Sequence, residues 1–351
     1  MERIIFWNNK GGTGKTSLAF QVITEYARQN CNDRILVIDV CPQANLSELL
    51  LGGLNQGGSN NLLIQQGKSP RATIGGYFQL RLPAPYNAPG FYPADYITQP
   101  SKYNSYMSEN IDLLCGDAML ELQSNAISTL ANNQIPGTNT WIAIINWLND
   151  FIKTVEDKYN IVFLDANPSF SMYTQIAIAT STKVILPVMA DDSSRRAIQN
   201  AFSLIYGLKL PSEIYSKYAF AQKLQDENMA LPQVFFVLKN RLTQYMGPAS
   251  AYATVLGEID KEIDSLLEIR PDIFSFTDKK DGIINVRDFQ TTGVVSAARG
   301  CPFKEMKPGR LDVMGKRVNI KEEYLKNCTQ DINGIVEKIN AGIRKTVPQH
   351  N

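Results

Sequence analysis

Asn8-Asn9-Lys10-Gly11-Gly12-Thr13-Gly14-Lys15-Thr16-Ser17 is the stretch from which the rest of the chain can be read. The apolar run Ile4-Ile5-Phe6-Trp7 precedes it, and an amphipathic run from Leu18 to Ala27 follows. Strand, glycine-rich loop and helix start, in that order, predict a cradle for phosphate. Glycines let successive backbone N–H groups turn inward, and the helix N-terminus adds partial positive charge. Lys15 is expected to reach the β- and γ-phosphates, the Thr16 hydroxyl to ligate Mg²⁺, and Ser17 to touch the α-phosphate. The bland alternative is a surface turn beside two lysines. The strict phosphate-loop pattern asks for glycine where Asn9 stands, and here a second lysine, Lys10, enters the loop.

Further along, Arg34-Ile35-Leu36-Val37-Ile38-Asp39 and Ile161-Val162-Phe163-Leu164-Asp165 are apolar runs that end in an acid. Val184-Ile185-Leu186-Pro187-Val188 and Val234-Phe235-Phe236-Val237-Leu238 repeat the apolar part. Near-continuous apolar strands separated by helix-length segments predict a doubly wound, mostly parallel α/β sheet with helices on both faces. Ligands of such sheets sit at the carboxyl ends of the strands, which is where the loop, Asp39 and Asp165 all fall. An acid at a strand end is by itself as well explained by a turn or a helix cap. In this company Asp165 is expected to help hold Mg²⁺.

The loop with its extra lysine resembles the deviant Walker A motif of the ParA/MinD family of P-loop ATPases. Asp165-Ala166-Asn167-Pro168-Ser169 is similar to that family's D-x-x-P-S. Asp39-Val40-Cys41-Pro42-Gln43-Ala44-Asn45-Leu46-Ser47 is similar to its D-x-D-P-Q-x-N-x-S. The resemblance implies an ATP-sandwich homodimer in which Lys10 crosses to the partner's nucleotide. Lys10 to Ser17 would hold ATP, and Thr16, Asp39 and Asp165 would surround Mg²⁺. Asn240, in Val237-Leu238-Lys239-Asn240-Arg241, and Pro302, in Gly300-Cys301-Pro302, match segments that lie near the adenine in relatives. Asn110-Ile111-Asp112-Leu113-Leu114-Cys115-Gly116-Asp117 is similar to N-L-x-L-L-P-G-x.

One departure matters. Cys41 stands where the family carries the aspartate that orients the attacking water, and a thiol is a weak acceptor. Either hydrolysis is slow or needs a partner, or another acid, such as Asp39, positions the water. The catalytic candidates are therefore Lys10, Lys15, Asp39 and Cys41. The resemblance further implies non-specific DNA binding by the dimer and release by a ParB-like partner, as in plasmid or chromosome partition. With Lys10 so near the first residue, the chain resembles the shorter ParA proteins. A nucleotide-gated scaffold with little hydrolysis and a MinD-like membrane-positioning ATPase are the competing readings.

Composition bounds these expectations. The 351 residues are 44% hydrophobic and 20% charged with a net charge of +1, so nucleic acid or membrane contact must come from a local patch. Five scattered cysteines without a C-x-x-C pair argue against disulfides and zinc sites. The single histidine, His350, is next to last, which argues against histidine catalysis. No charged-then-apolar leader and no apolar run of 18 residues is seen, so a cytoplasmic or nucleoid-associated protein is expected.

One domain over 1–351 is expected, with a Pro/Gly/Tyr-rich insertion at 52–107 and a helical extension at 250–275. The insertion reads as a lid, a partner- or dimer-facing surface, a base-stacking surface or plain ordered packing, since a structureless loop of this length is unusual in a compact domain. Trp141 to Val155 has apolar spacing for one core-facing helix, and Asp191 to Arg196 reads as a helix start. Lys304 to Lys345 carries ten basic residues against six acidic ones, either an ordinary charged surface or the family's DNA-contacting face. The stripe Ile332, Ile335, Val336, Ile339 and Ile343 reads as core packing rather than a membrane-binding helix.

Overall fold

The computed structural model describes residues 1–133, 136–189, 192–242, 251–313 and 315–346. His350, Asp191 as a helix cap and position 250 of the helical extension lie outside the described residues. Seven strands form one sheet: β1 (Glu2–Phe6), β2 (Ile35–Val40), β3 (Ile111–Leu114), β4 (Ile161–Ala166), β5 (Lys183–Met189), β6 (Gln233–Leu242) and β7 (Ile283–Arg287). Their order is β3-β2-β4-β1-β5-β6-β7, and every pair is parallel. A separate antiparallel ribbon joins β8 (Gly309–Val313) to β9 (Lys316–Ile320).

Burial on both faces explains the unbroken apolar runs. Ile5 and Trp7 enter one core layer, Ile4 and Phe6 the other, as the two-residue period of a strand requires. The second layer is covered by α1 (Lys15–Gln29) and the last helix, Glu322–Thr346. Ile332, Ile335, Val336 and Ile339 are buried there, as the core-packing reading expects. The extension is a helix, Ala251–Ile269. Lys239 on β6 holds it by an ion pair to Asp260.

The insertion is ordered: it contains helices Gly58–Gln66 and Ile74–Arg81 and two short 3₁₀ turns. Tyr77 is fully buried, with its ring 5.0 Å from Phe151 and 5.2 Å from Phe91, and its hydroxyl donates to the Trp147 carbonyl. Arg81 is equally buried and bonds Asp150, the Tyr77 hydroxyl and the Pro85 carbonyl. Packing therefore accounts for much of this segment, and its buried tyrosines cannot stack on bases.

The single helix expected over Trp141–Val155 is two, Thr140–Ile145 and Trp147–Lys153. Asn146 lies at the break, its side-chain amide bonded to the Ile142 carbonyl, so a local polar side chain competes with the helical ladder. The apolar stripe still points inward, with Ile144, Ile145, Leu148 and Ile152 fully buried.

Candidate nucleotide site

Sheet register assembles the site. Asp39 on β2 and Phe6 on β1 both pair with Asp165 on β4, so the two acids stand side by side where the loop leaves β1. Met189 on β5 pairs with Asn240 on β6 at the same edge. Residues far apart in sequence thus meet because parallel strands end level.

The loop is held from below. Asn8 is fully buried; its Nδ2 donates to the Pro187 carbonyl at 2.8 Å, and its Oδ1 accepts from the Lys10 N–H at 2.9 Å. This side chain fixes where Lys10 leaves β1, a role that sequence reasoning did not assign. Gly14 opens α1 with φ of 83°, in the left-handed region that favours glycine, and its carbonyl accepts from the Leu18 N–H. Gly11, Gly12 and Ser17 are exposed, whereas Lys15 is buried and donates to the Lys10 carbonyl at 3.0 Å. Burial lowers the Lys15 pKa, against the opposing pull of Asp165 and Cys41.

Asn240 lies against the loop: its Nδ2 donates to the Thr13 carbonyl at 2.9 Å, and a Cβ on Gly14 would come within 2.2 Å of that nitrogen. The Phe303 N–H beside Pro302 bonds Gln21, about two turns along α1 from Gly14. Asn240 and Pro302 therefore flank different parts of α1, one at the loop and one along the helix.

The acids form the polar floor. Thr16 donates to Asp165 Oδ2 at 2.7 Å, and Asp39 Oδ2 accepts from the Ser47 N–H and hydroxyl at 2.9 and 2.7 Å. Ser47 Oγ in turn accepts from the Gly116 N–H, tying the end of β2 to the end of β3. That bridge was also unassigned, although Ser47 is the last residue of the Asp39 motif. Asp39 Oδ1 and Asp165 Oδ1 are buried without a hydrogen-bond partner. Burial raises both carboxyls; the charge of Asp39 adds to the effect on Asp165, while the Ser47 bonds pull Asp39 back.

Two orphaned carboxylate oxygens beside a threonine hydroxyl are a hard, all-oxygen donor set, which fits Mg²⁺. No group of three or more His, Cys, Asp or Glu side chains is arranged to hold a metal among the described residues. Mg²⁺ does not need one, because it takes one or two protein oxygens and completes its shell with phosphate and water. Cys41 is half-buried, and burial together with the charges of Asp39 and Asp165 pushes its thiol up to about 12. It stays protonated at neutral pH and cannot act as a base.

Residues 1–212 match the AAA_31 family model, described as an AAA domain. A stretch of 200 residues is 22% identical to the virulence plasmid ParA family protein pGP5-D of Chlamydia psittaci, covering 57% of this chain and 61% of that protein. The chain thus spans about three fifths of the length of this curated relative. Apo McdA from Cyanothece superposes with a TM-score of 0.61 at 14% identity, covering 97% of this chain and 99% of the other. An ATP complex of a McdA variant from Cyanothece gives 0.60 at 14% identity, covering 97% and 96%. At such identities these structures speak for the fold.

Proposed function

The chain belongs to the AAA-domain family of ParA/MinD-type P-loop ATPases, and on that premise we propose that it is an ATP-dependent dimerising switch of the partition type. The observation that carries this reading is the loop itself, braced by Asn8 and Asn240, over two buried acids with unpartnered oxygens. ATP would lie along the loop, with Lys15 on its β- and γ-phosphates and Ser17 on its α-phosphate. Thr16 and Asp165 would hold Mg²⁺, with Asp39 behind them, and the metal would neutralise the charge that develops on the γ-phosphate. Lys10 would reach a second subunit's nucleotide.

Cys41 makes unassisted hydrolysis slow in this proposal. Its protonated thiol cannot draw a proton from water. Asp39 has one oxygen committed to Ser47, which leaves only Oδ1 for any such role. A ParB-like partner would supply the acceleration. DNA would be met non-specifically, and exposed Arg310, Lys316, Arg317 and Lys321 on and beside the β8–β9 ribbon are the basic groups available to it. The same Cys41 favours the second reading, a nucleotide-gated scaffold that hydrolyses little. No helix among the described residues is long and apolar enough to cross a membrane.

The test is ATP turnover with and without non-specific DNA, for the wild type and Cys41→Asp. A rise of about tenfold or more, near 1.4 kcal/mol in barrier, in Cys41→Asp supports a slow switch awaiting a partner. A wild type that already turns over as fast as Cys41→Asp overturns it. ATP-dependent, salt-sensitive retention on DNA separates the partition reading from the scaffold.

A further inference from the structure

The amino ends of β5 and β6 form the pole of the sheet opposite the loop, and a cleft of about 380 Å³ opens there. That is room for a small organic molecule. The floor is unusual. Lys183, the first residue of β5, is only 4% exposed, and its ammonium lies 4.6 Å from the centroid of the Phe235 ring. It has no hydrogen-bond or ion-pair partner among the described residues. A cation over an aromatic face recovers about 1–2 kcal/mol, less than the cost of burying an isolated charge. Burial accordingly lowers the Lys183 pKa, against an opposing pull from Glu2.

The ring under this lysine is placed by a bulge. Val184 pairs with Val234 but Ile185 pairs with Phe236, so Phe235 is an extra residue in β6. Bulges re-aim side chains, and here Phe235 and Phe236 stack at 4.2 Å. Phe274 and Phe276, 5.2 Å apart, form the facing wall. The last helix contributes Lys338 at the rim, where its ammonium donates to the Lys280 and Asp281 carbonyls. Asp281, the acid of the lining, is exposed and forms no ion pair with Lys183 among the described residues. The cleft therefore places aromatic walls beside a largely buried lysine whose ammonium makes no hydrogen bond or ion pair among the described residues and feels Glu2 only as a charge.

We propose that this cleft binds a small organic carboxylate with an aromatic or apolar body, the carboxylate pairing with Lys183 Nζ and the body lying among Phe235, Phe274 and Phe276. The site is separate from the nucleotide site, and the proposal stands whether or not the protein hydrolyses ATP.

The full-length chain is titrated calorimetrically with 3-phenylpropionate and with its neutral amide, 3-phenylpropionamide. The acid is expected to bind at least tenfold more tightly than the amide, and Lys183→Met is expected to remove that preference. In the wild type, 3-phenylpropionate should also protect Lys183 from acetylation by acetic anhydride, read by mass spectrometry, while exposed Lys261 stays labelled. This second readout holds even if Lys183→Met does not fold. No binding of the acid, equal binding of acid and amide, an acid preference that survives in a folded Lys183→Met, or unprotected Lys183 each overturns the proposal.

Discussion

Two glycine-rich stretches look alike in the sequence and are used in opposite ways. In Lys10-Gly11-Gly12-Thr13-Gly14, a Cβ added at Gly11 or Gly12 would meet nothing within 4 Å. In Gly52-Gly53-Leu54-Asn55-Gln56-Gly57-Gly58, a Cβ on Gly53 would lie 2.5 Å from the Gly300 nitrogen and 2.6 Å from the Ala297 carbonyl oxygen. One on Gly58 would lie 2.3 Å from the Glu48 carbonyl oxygen. Gly11 and Gly12 leave room for a ligand, whereas Gly53 and Gly58 let backbone segments touch. Composition alone could not tell an open cradle from a packed corner.

The strongest way to test this contrast is through the insertion's anchor. Asp117 is buried; burial would raise its pKa, but bonds from Arg71, Thr73 and the Met119 N–H hold it below the ordinary 3.8. Asp117→Asn should cost about 3 kcal/mol in urea unfolding, because Arg71 loses its charge partner. A carboxyl lowered in the folded state stabilises above its unfolded pKa and loses that contribution as pH falls through the folded value. Protection of the insertion's amides, taken relative to the intrinsic exchange rate at each pH, should therefore fall below about pH 4 in the wild type but respond less to acid in Asp117→Asn.

Gly53→Ala should cost about 2 kcal/mol of stability by overpacking backbone against backbone, with nucleotide affinity unchanged in the fraction that is folded. Gly11→Ala should do the reverse. Its thermal midpoint should stay put while affinity for a fluorescent ATP analogue drops about tenfold, near 1.4 kcal/mol. If Gly53→Ala stays stable but loses the analogue, the two stretches are not opposites after all. The smallest effect is expected at Asn240→Ala. It removes the bond to the Thr13 carbonyl, about 1 kcal/mol, read as a few-fold weaker binding of the analogue.

The parts of the fold that could be read early rest on local signals. The loop, the strands ending in Asp39 and Asp165, and the helical extension each show their character within a dozen residues. The roles of Asn8 and Ser47 were hidden although both residues lie in quoted motifs. Their partners, Pro187 and Gly116, are supplied only by the sheet order. The buried packing of Tyr77 and Arg81 was hidden for the same reason, since Phe151 and Asp150 come some seventy residues later. The bulge at Phe235 left no trace, because one extra residue in a strand alters neither composition nor apolar run.

The position of β1 bears on how the chain is made. The strand that launches the phosphate loop lies in mid-sheet, between β4 and β5, and Asn8 waits for the Pro187 carbonyl. At translation speeds of about 5–20 residues per second, those neighbours leave the ribosome roughly 10 to 35 seconds after the loop. Through that interval the nascent chain carries its entire lysine and glycine signature without the frame that shapes it, so competence for nucleotide should arrive late and all at once.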